Sequence, residues 1–210
     1  MDSHNIDHDP LKYEEVIEFR KLLGNESDRG CALAAAAYLD EQLEALFRGY
    51  LVDDKARVNN LMESNGPLGT FSGRIDLAYL LGLIPKKAAN DLHLIRKIRN
   101  EFAHISGSLT FDSPAIASRC KELKHDLYYE ALTPRKNFMR VATGVAAYIH
   151  VAMSVEPRRI AKHDIDFNTP FVQKLVKKFR EIGHATVVHF DNSSAAVDEM
   201  KGDAEYESID

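Results

Sequence analysis

Residues 27–50 read SDRGCALAAAAYLDEQLEALFRGY, and this stretch decides the fold class. Leu39, Leu43, Leu46, Phe47 and Tyr50 fall at offsets 0, 4, 7, 8 and 11. That spacing lines apolar side chains along one face of an α-helix. Ser27 is a good N-cap, and Asp28 in the first turn suits the positive end of the helix dipole. The run Ala34 to Ala37 offers a smooth surface where a second helix can approach closely. A helix of this length with one apolar stripe must bury it against other helices.

Working outward, the same signals recur. Residues 1–10 read as a flexible arm. Leu11 to Leu23 carries Val16, Ile17, Phe19, Leu22 and Leu23, a helix expected to stop at Gly24. Beyond residue 50, Asp54 to Glu63 is a short helix with Val58, Leu61 and Met62 inward. Ser64 to Gly69 favours a turn. Thr70 or Ser72 then starts a helix bearing Phe71, Ile75, Ala78 and Leu81, closed by Gly82. Pro85 suits the first turn of the next, which runs to His104 and buries Leu92, Leu94, Ile95, Ile98 and Phe102. After a loop over 105–112, Asp112 or Ser113 caps a helix from Pro114 bearing Ile116, Cys120, Leu123 and Leu127. Thr133-Pro134 opens another, to about Ser154, and Thr169-Pro170 a last one, ended by Gly183. From His184 the chain passes through Thr186-Val187-Val188, a short strand or extended segment. From Asp191 it holds seven acidic residues against Lys201 alone, and disorder is expected. No βαβ alternation appears. The expectation is an all-α, compact bundle of about seven to eight helices: one domain over 11–183 and an acidic tail over 184–210.

The 210 residues carry a net charge of −5, with 45% hydrophobic and 28% charged residues, the profile of an ordinary globular protein. No apolar run approaches the roughly 18 residues needed to span a bilayer, so no membrane partner is expected. The first ten residues are polar and acidic, unlike a secretory leader, and a cytoplasmic location follows as an expectation. Cys31 and Cys120 each fall in an apolar helical pattern, which favours buried thiols over a disulfide. The negative charge argues against coating nucleic acid, but leaves room for a local basic site.

Such a site is offered by the helix Pro85 to His104. Arg96, Asn100 and His104 are spaced i, i+4 and i+8 on one face, with Lys97 and Arg99 adjoining. Lys86, Lys87, Arg96, Lys97 and Arg99 oppose Asp91 and Glu101, five against two, a local +3 in an acidic chain. The plain reading is a solvated basic face with His104 capping the helix C-terminus. The chemical reading has Arg99 and His104 acting on phosphate beside Asn100, since arginine forks onto phosphate oxygens and histidine titrates near neutrality. Five residues on a regular helix turn through about 140°, so the pair converges only if the helix ends at Ala103 or a second chain completes the site. His4 with His8, and His184 with His189, are weak as metal pairs. No Cys-x-x-Cys pair, His-Glu-x-x-His, phosphate loop or nucleophile elbow is present. No metal or cofactor is expected, and no basic helix–turn–helix for reading the major groove is visible.

The block Gly66-Pro67-Leu68-Gly69-Thr70-Phe71-Ser72-Gly73-Arg74-Ile75, continued through Leu77 to Ile84 and on to Arg99-Asn100-Glu101-Phe102-Ala103-His104, resembles the mannitol operon repressor family. The resemblance covers roughly residues 27–125 and opens with Ser27-Asp28-Arg29-Gly30. It implies an all-helical bacterial transcription regulator acting through a protein partner rather than direct DNA contact. Gly66, Pro67, Gly69, Arg74, Arg96 and Lys97 are then the candidate binding residues. Arg99-Asn100-x-x-x-His104 is also similar to the Arg-x4-6-His motif of HEPN domains, helical homodimers that include metal-independent ribonucleases. That resemblance implies RNA as ligand, with Arg99, Asn100 and His104 catalytic. A third alternative makes these residues fold determinants, with Arg74 paired internally.

Overall fold

The computed structural model describes residues 10–104, 109–124, 132–163 and 166–182. In chain order the helices are α1 Pro10–Asn25, α2 Asp28–Tyr50, α3 Lys55–Met62, α4 Phe71–Leu80, α5 Lys86–His104, α6 Pro114–Glu122 and α7 Pro134–Val155. Residues 170–182 are helical as well, and no strand occurs among the described residues. The fold is all-α. The expectations for His4, His8, the Ser106–Ser108 segment, Leu127 and the tail from Gly183, with Thr186–Val188, His184 and His189, lie outside the described residues.

The helix starts follow the capping signals. Ser27 accepts a hydrogen bond from the Gly30 N–H at 3.1 Å, Asp54 from Arg57 N–H at 3.1 Å, and Thr70 from Gly73 N–H at 3.2 Å. Ser113 precedes Pro114 but turns its hydroxyl to the Thr110 N–H at 3.1 Å, bracing the preceding loop instead of the helix. At the end of α4, Gly82 adopts φ +75, and Leu83 N–H reaches back to Ala78 O at 2.9 Å. A side chain there would be strained, which is why glycine closes this helix.

One expected stop does not occur. α1 continues through Gly24 to Asn25. Glycine in a helix costs only about 1 kcal/mol, and here Arg135 from the first turn of α7 holds the segment. Its guanidinium donates to Leu23 O at 3.1 Å, to Glu26 O and to the Asp28 carboxylate, whose other oxygen accepts from Phe111 N–H at 2.8 Å. Tertiary contacts override the local break.

α2 packs against α1, α4, α5 and α7. Its face of Cys31, Ala32, Ala35, Leu39, Leu43 and Phe47 is fully buried. Phe102 of α5, Phe111 and Phe138 of α7 meet in series as tilted pairs, with ring centroids 5.1 and 5.0 Å apart. α7 is long and apolar enough to cross a membrane by length and composition. Phe138, Val141, Ala142, Val145, Ala146, Ile149 and Ala152 bury its apolar side within the bundle core, as expected of a core helix.

The chain divides into two units, Met1–Ala161 and Lys162–Asp210. The helical domain expected over 11–183 includes residues 170–182, which fall in the second unit. The helix at 170–182 has a helical apolar period, but Phe171 and Phe179 are 76% and 65% exposed. Periodicity announces a helix without saying which core it joins.

Both cysteines are free and buried. Burial pushes the Cys31 thiol up to about 11 and the Cys120 thiol to about 12. An unfolded thiol ionises near 9.0, so above that pH the unfolded chain binds fewer protons than the folded one and stability falls as pH rises. Thermal melts should therefore shift downward between pH 9 and 11 in a Cys31, Cys120 protein, and the shift should shrink in Cys31→Ala/Cys120→Ala relative to its own melt at pH 8. An equal shift in that variant would show that the thiols do not carry it.

Candidate functional site: the glycine turn, Arg74 and the outer ridge of α5

The turn between α3 and α4 is built by close backbone approach. Gly66 N–H donates to Glu63 O at 2.7 Å, Leu68 N–H to Leu61 O at 2.9 Å, and Gly69 N–H to Gly66 O at 3.0 Å. A Cβ on Gly66 would lie 2.3 Å from Asn60 O, and one on Gly69 would lie 2.2 Å from Glu63 O. Those atoms are backbone and cannot step aside, so both positions need glycine for space. Pro67 is exposed at the turn's outer edge and Leu68 is buried beneath it. The turn delivers Thr70 to its capping position and thereby sets where Arg74 projects.

Arg74 is 7% exposed and points inward. It donates to Asp40 Oδ1 at 2.6 Å, to Glu44 Oε2 at 2.9 Å and to Met62 O at 3.3 Å, while its Nε has no hydrogen-bond partner. Glu44 also accepts from Arg48 at 2.8 and 2.9 Å, and Arg48 reaches Asn59 Oδ1 at 2.8 Å. One charged network thus ties α2, α3 and α4 together. A partner's surface cannot reach a guanidinium so enclosed, and the alternative that pairs Arg74 internally describes its geometry. Asp40 and Glu44 carry a local signal for this pairing. Two carboxylates at i and i+4 repel unless a cation lies between them.

α5 divides cleanly. Leu92, Ile95, Ile98 and Phe102 are buried, whereas Lys97 and His104 are exposed and Arg96, Arg99 and Asn100 half-buried. The helix continues through His104, so the rotation of about 140° between Arg99 and His104 persists. Within one chain they do not converge, and Asn100 accompanies His104 rather than Arg99. At this end of the helix the Ala103 carbonyl accepts from Arg29 of α2 at 3.0 Å. Arg96 Nε is buried without a hydrogen-bond partner. Arg119 of α6 pairs with Glu101, and His93 with Asp76 of α4 at 2.9 Å, so neighbouring helices fix the flanks of the ridge.

Beside this ridge lies a hollow of about 560 Å³ lined by Lys87, Asn90, His93, Leu94 and Lys97, with Glu122 at the end of α6 and Lys124 beyond it closing it. Asp91, 1% exposed, forms its floor and accepts from Lys124 N–H at 3.0 Å. Lys124 was not singled out in the sequence, because nothing local indicates that the end of α6 returns to α5. No group of three or more metal-ligating side chains occurs among the described residues.

The geometry defines a class: an all-α bundle whose candidate site is an exposed polar ridge and shallow hollow on one helix. The model of a protein family described as mannitol repressor matches residues 14–139, and the chain belongs to that family. A chain of the X-ray structure of the MtlR-HPr complex from Escherichia coli shares the fold, with TM-score 0.57 and 22% identity over 67% of this chain and 99% of that one. No curated protein matches the sequence.

Two expectations follow for stability. Gly69→Ala should lower it by about 3 kcal/mol through backbone overpacking, while Gly49→Ala, with open space around it, should be neutral or slightly stabilising. Arg74→Ala should cost about 2–3 kcal/mol, as expected when charge-assisted hydrogen bonds to half-buried carboxylates are lost, and Lys97→Ala almost nothing. Urea denaturation of the four variants measures both contrasts.

Proposed function

We propose that this protein is a bacterial regulator that works by binding a partner protein, not by reading DNA itself. The observation that carries this reading is the family match over 14–139, which spans α1 through the first turns of α7. The partner surface is assigned to the outer ridge of α5, where Lys97, Asn100 and His104 are presented on a helix that is rigidly backed by Ile95, Ile98 and Phe102. A rigid helical face with cations at its rim suits recognition of a folded protein, because little side-chain order has to be created on binding. The Escherichia coli relative was crystallised with HPr, so the HPr of the host that carries this chain is the first partner to test. Arg74, Gly66 and Gly69 act in this reading as supports that hold α4 against α2 and α5.

Calorimetric titration of the purified protein with that HPr should show saturable binding, at least tenfold weaker with Lys97→Glu/His104→Ala. Absence of binding, or affinity unchanged in that variant, overturns the assignment. Sedimentation of the protein alone reads self-association, the homodimer that the HEPN-like resemblance implies. The ribonuclease alternative draws no support from the separated Arg99 and His104. It predicts RNA cleavage in EDTA that is lost in His104→Ala, which the regulator reading does not.

A further inference from the structure

Residues 170–182 form a helix in the second unit whose two sides differ sharply. At about 100° per residue, Phe171, Val172, Leu175, Val176, Phe179 and Ile182 fill one arc of about 140°. Lys174, Lys177, Lys178 and Arg180 fill the remainder with Gln173 and Glu181, four cations against one carboxylate in a chain of net charge −5. Phe171, Leu175 and Phe179 are 76%, 43% and 65% exposed, and Phe167 just before the helix is 63% exposed.

We propose that this helix docks on an anionic lipid surface, lying in its plane with Phe171, Leu175 and Phe179 below the headgroups. The cations border the apolar arc on both sides, Lys174 and Lys178 on one and Arg180 on the other. That arrangement holds the charges at phosphate level while the apolar side enters the acyl boundary. Thirteen residues extend about 20 Å, too short to cross a bilayer core of about 30 Å, so the helix lies on the surface. A search for spanning runs overlooks such a segment, which is why no membrane partner was expected from the sequence. Nucleic acid would match the cations but leave the phenylalanines in water. The seven carboxylates between Asp191 and Asp210 repel an anionic surface. Docking therefore needs apolar insertion as well as charge.

The test is co-sedimentation of the full-length protein with phosphatidylcholine vesicles, with or without about one-third phosphatidylglycerol. Binding should be at least tenfold tighter to the anionic vesicles and fall with added salt. It should weaken roughly fivefold for each cation removed in the series Lys174→Gln, Lys177→Gln, Lys178→Gln. Phe171→Ser/Phe179→Ser should abolish it, with the main thermal transition unchanged. No sedimentation, equal partition into both vesicle types, or binding that survives the phenylalanine substitutions overturns the proposal. So does self-association, or binding to an acidic protein, that is lost with those substitutions while no vesicle is bound.

Discussion

The burial of one side of α2 is the constraint on which the fold rests. Its alanines and cysteine at the start, then Leu39, Leu43 and Phe47, leave no exposed apolar surface along that side. α7 and α5 both pack on it, with small side chains lining its first half and larger ones its second. Because an interior packs at nearly crystalline density, the positions of these neighbours are then narrowly set. The long-range polar contacts between helices depend on that setting.

The second layer of organisation is a set of arginines that each fasten several segments. Arg74 joins α4 to two carboxylates of α2 and a carbonyl at the end of α3. Arg135 joins α7 to the α1–α2 connection. Arg29 takes the carbonyl of Ala103, and Arg159 stacks over Tyr50 at 4.7 Å while its N–H groups donate to the same tyrosine's hydroxyl. A planar fork with five donors suits this work better than an ammonium would. The residues most noticeable in the sequence, Arg74 among them, thus act by holding the fold. The partner surface proposed above is the polar side of α5, whose opposite side is locked into the core.

The motif Arg99 to His104 shows how local spacing can suggest more chemistry than the fold delivers. A short motif says that two side chains are near in sequence. A continuous helix then separates their directions, and α5 remains helical through its last residue. The hollow beside Lys97 had the opposite history. It combines α5 with the end of α6 and Lys124 beyond it, a pairing that no local spacing announces.

Helices and their starts were legible in the sequence because they depend on nearest-neighbour chemistry. Ser27, Asp54, Thr70 and Thr133 cap where their hydroxyl or carboxylate can reach an N–H three residues on, and the apolar period of α2 follows from 3.6 residues per turn. The glycine turn was legible as a turn, but its reason, carbonyls 2.2 and 2.3 Å from an absent Cβ, belongs to three dimensions. Only the tertiary structure decided that α1 runs past Gly24 and that Arg74 faces Asp40 and Glu44. Each of these depends on which distant segment supplies the partner atoms, and packing, not local spacing, chooses that.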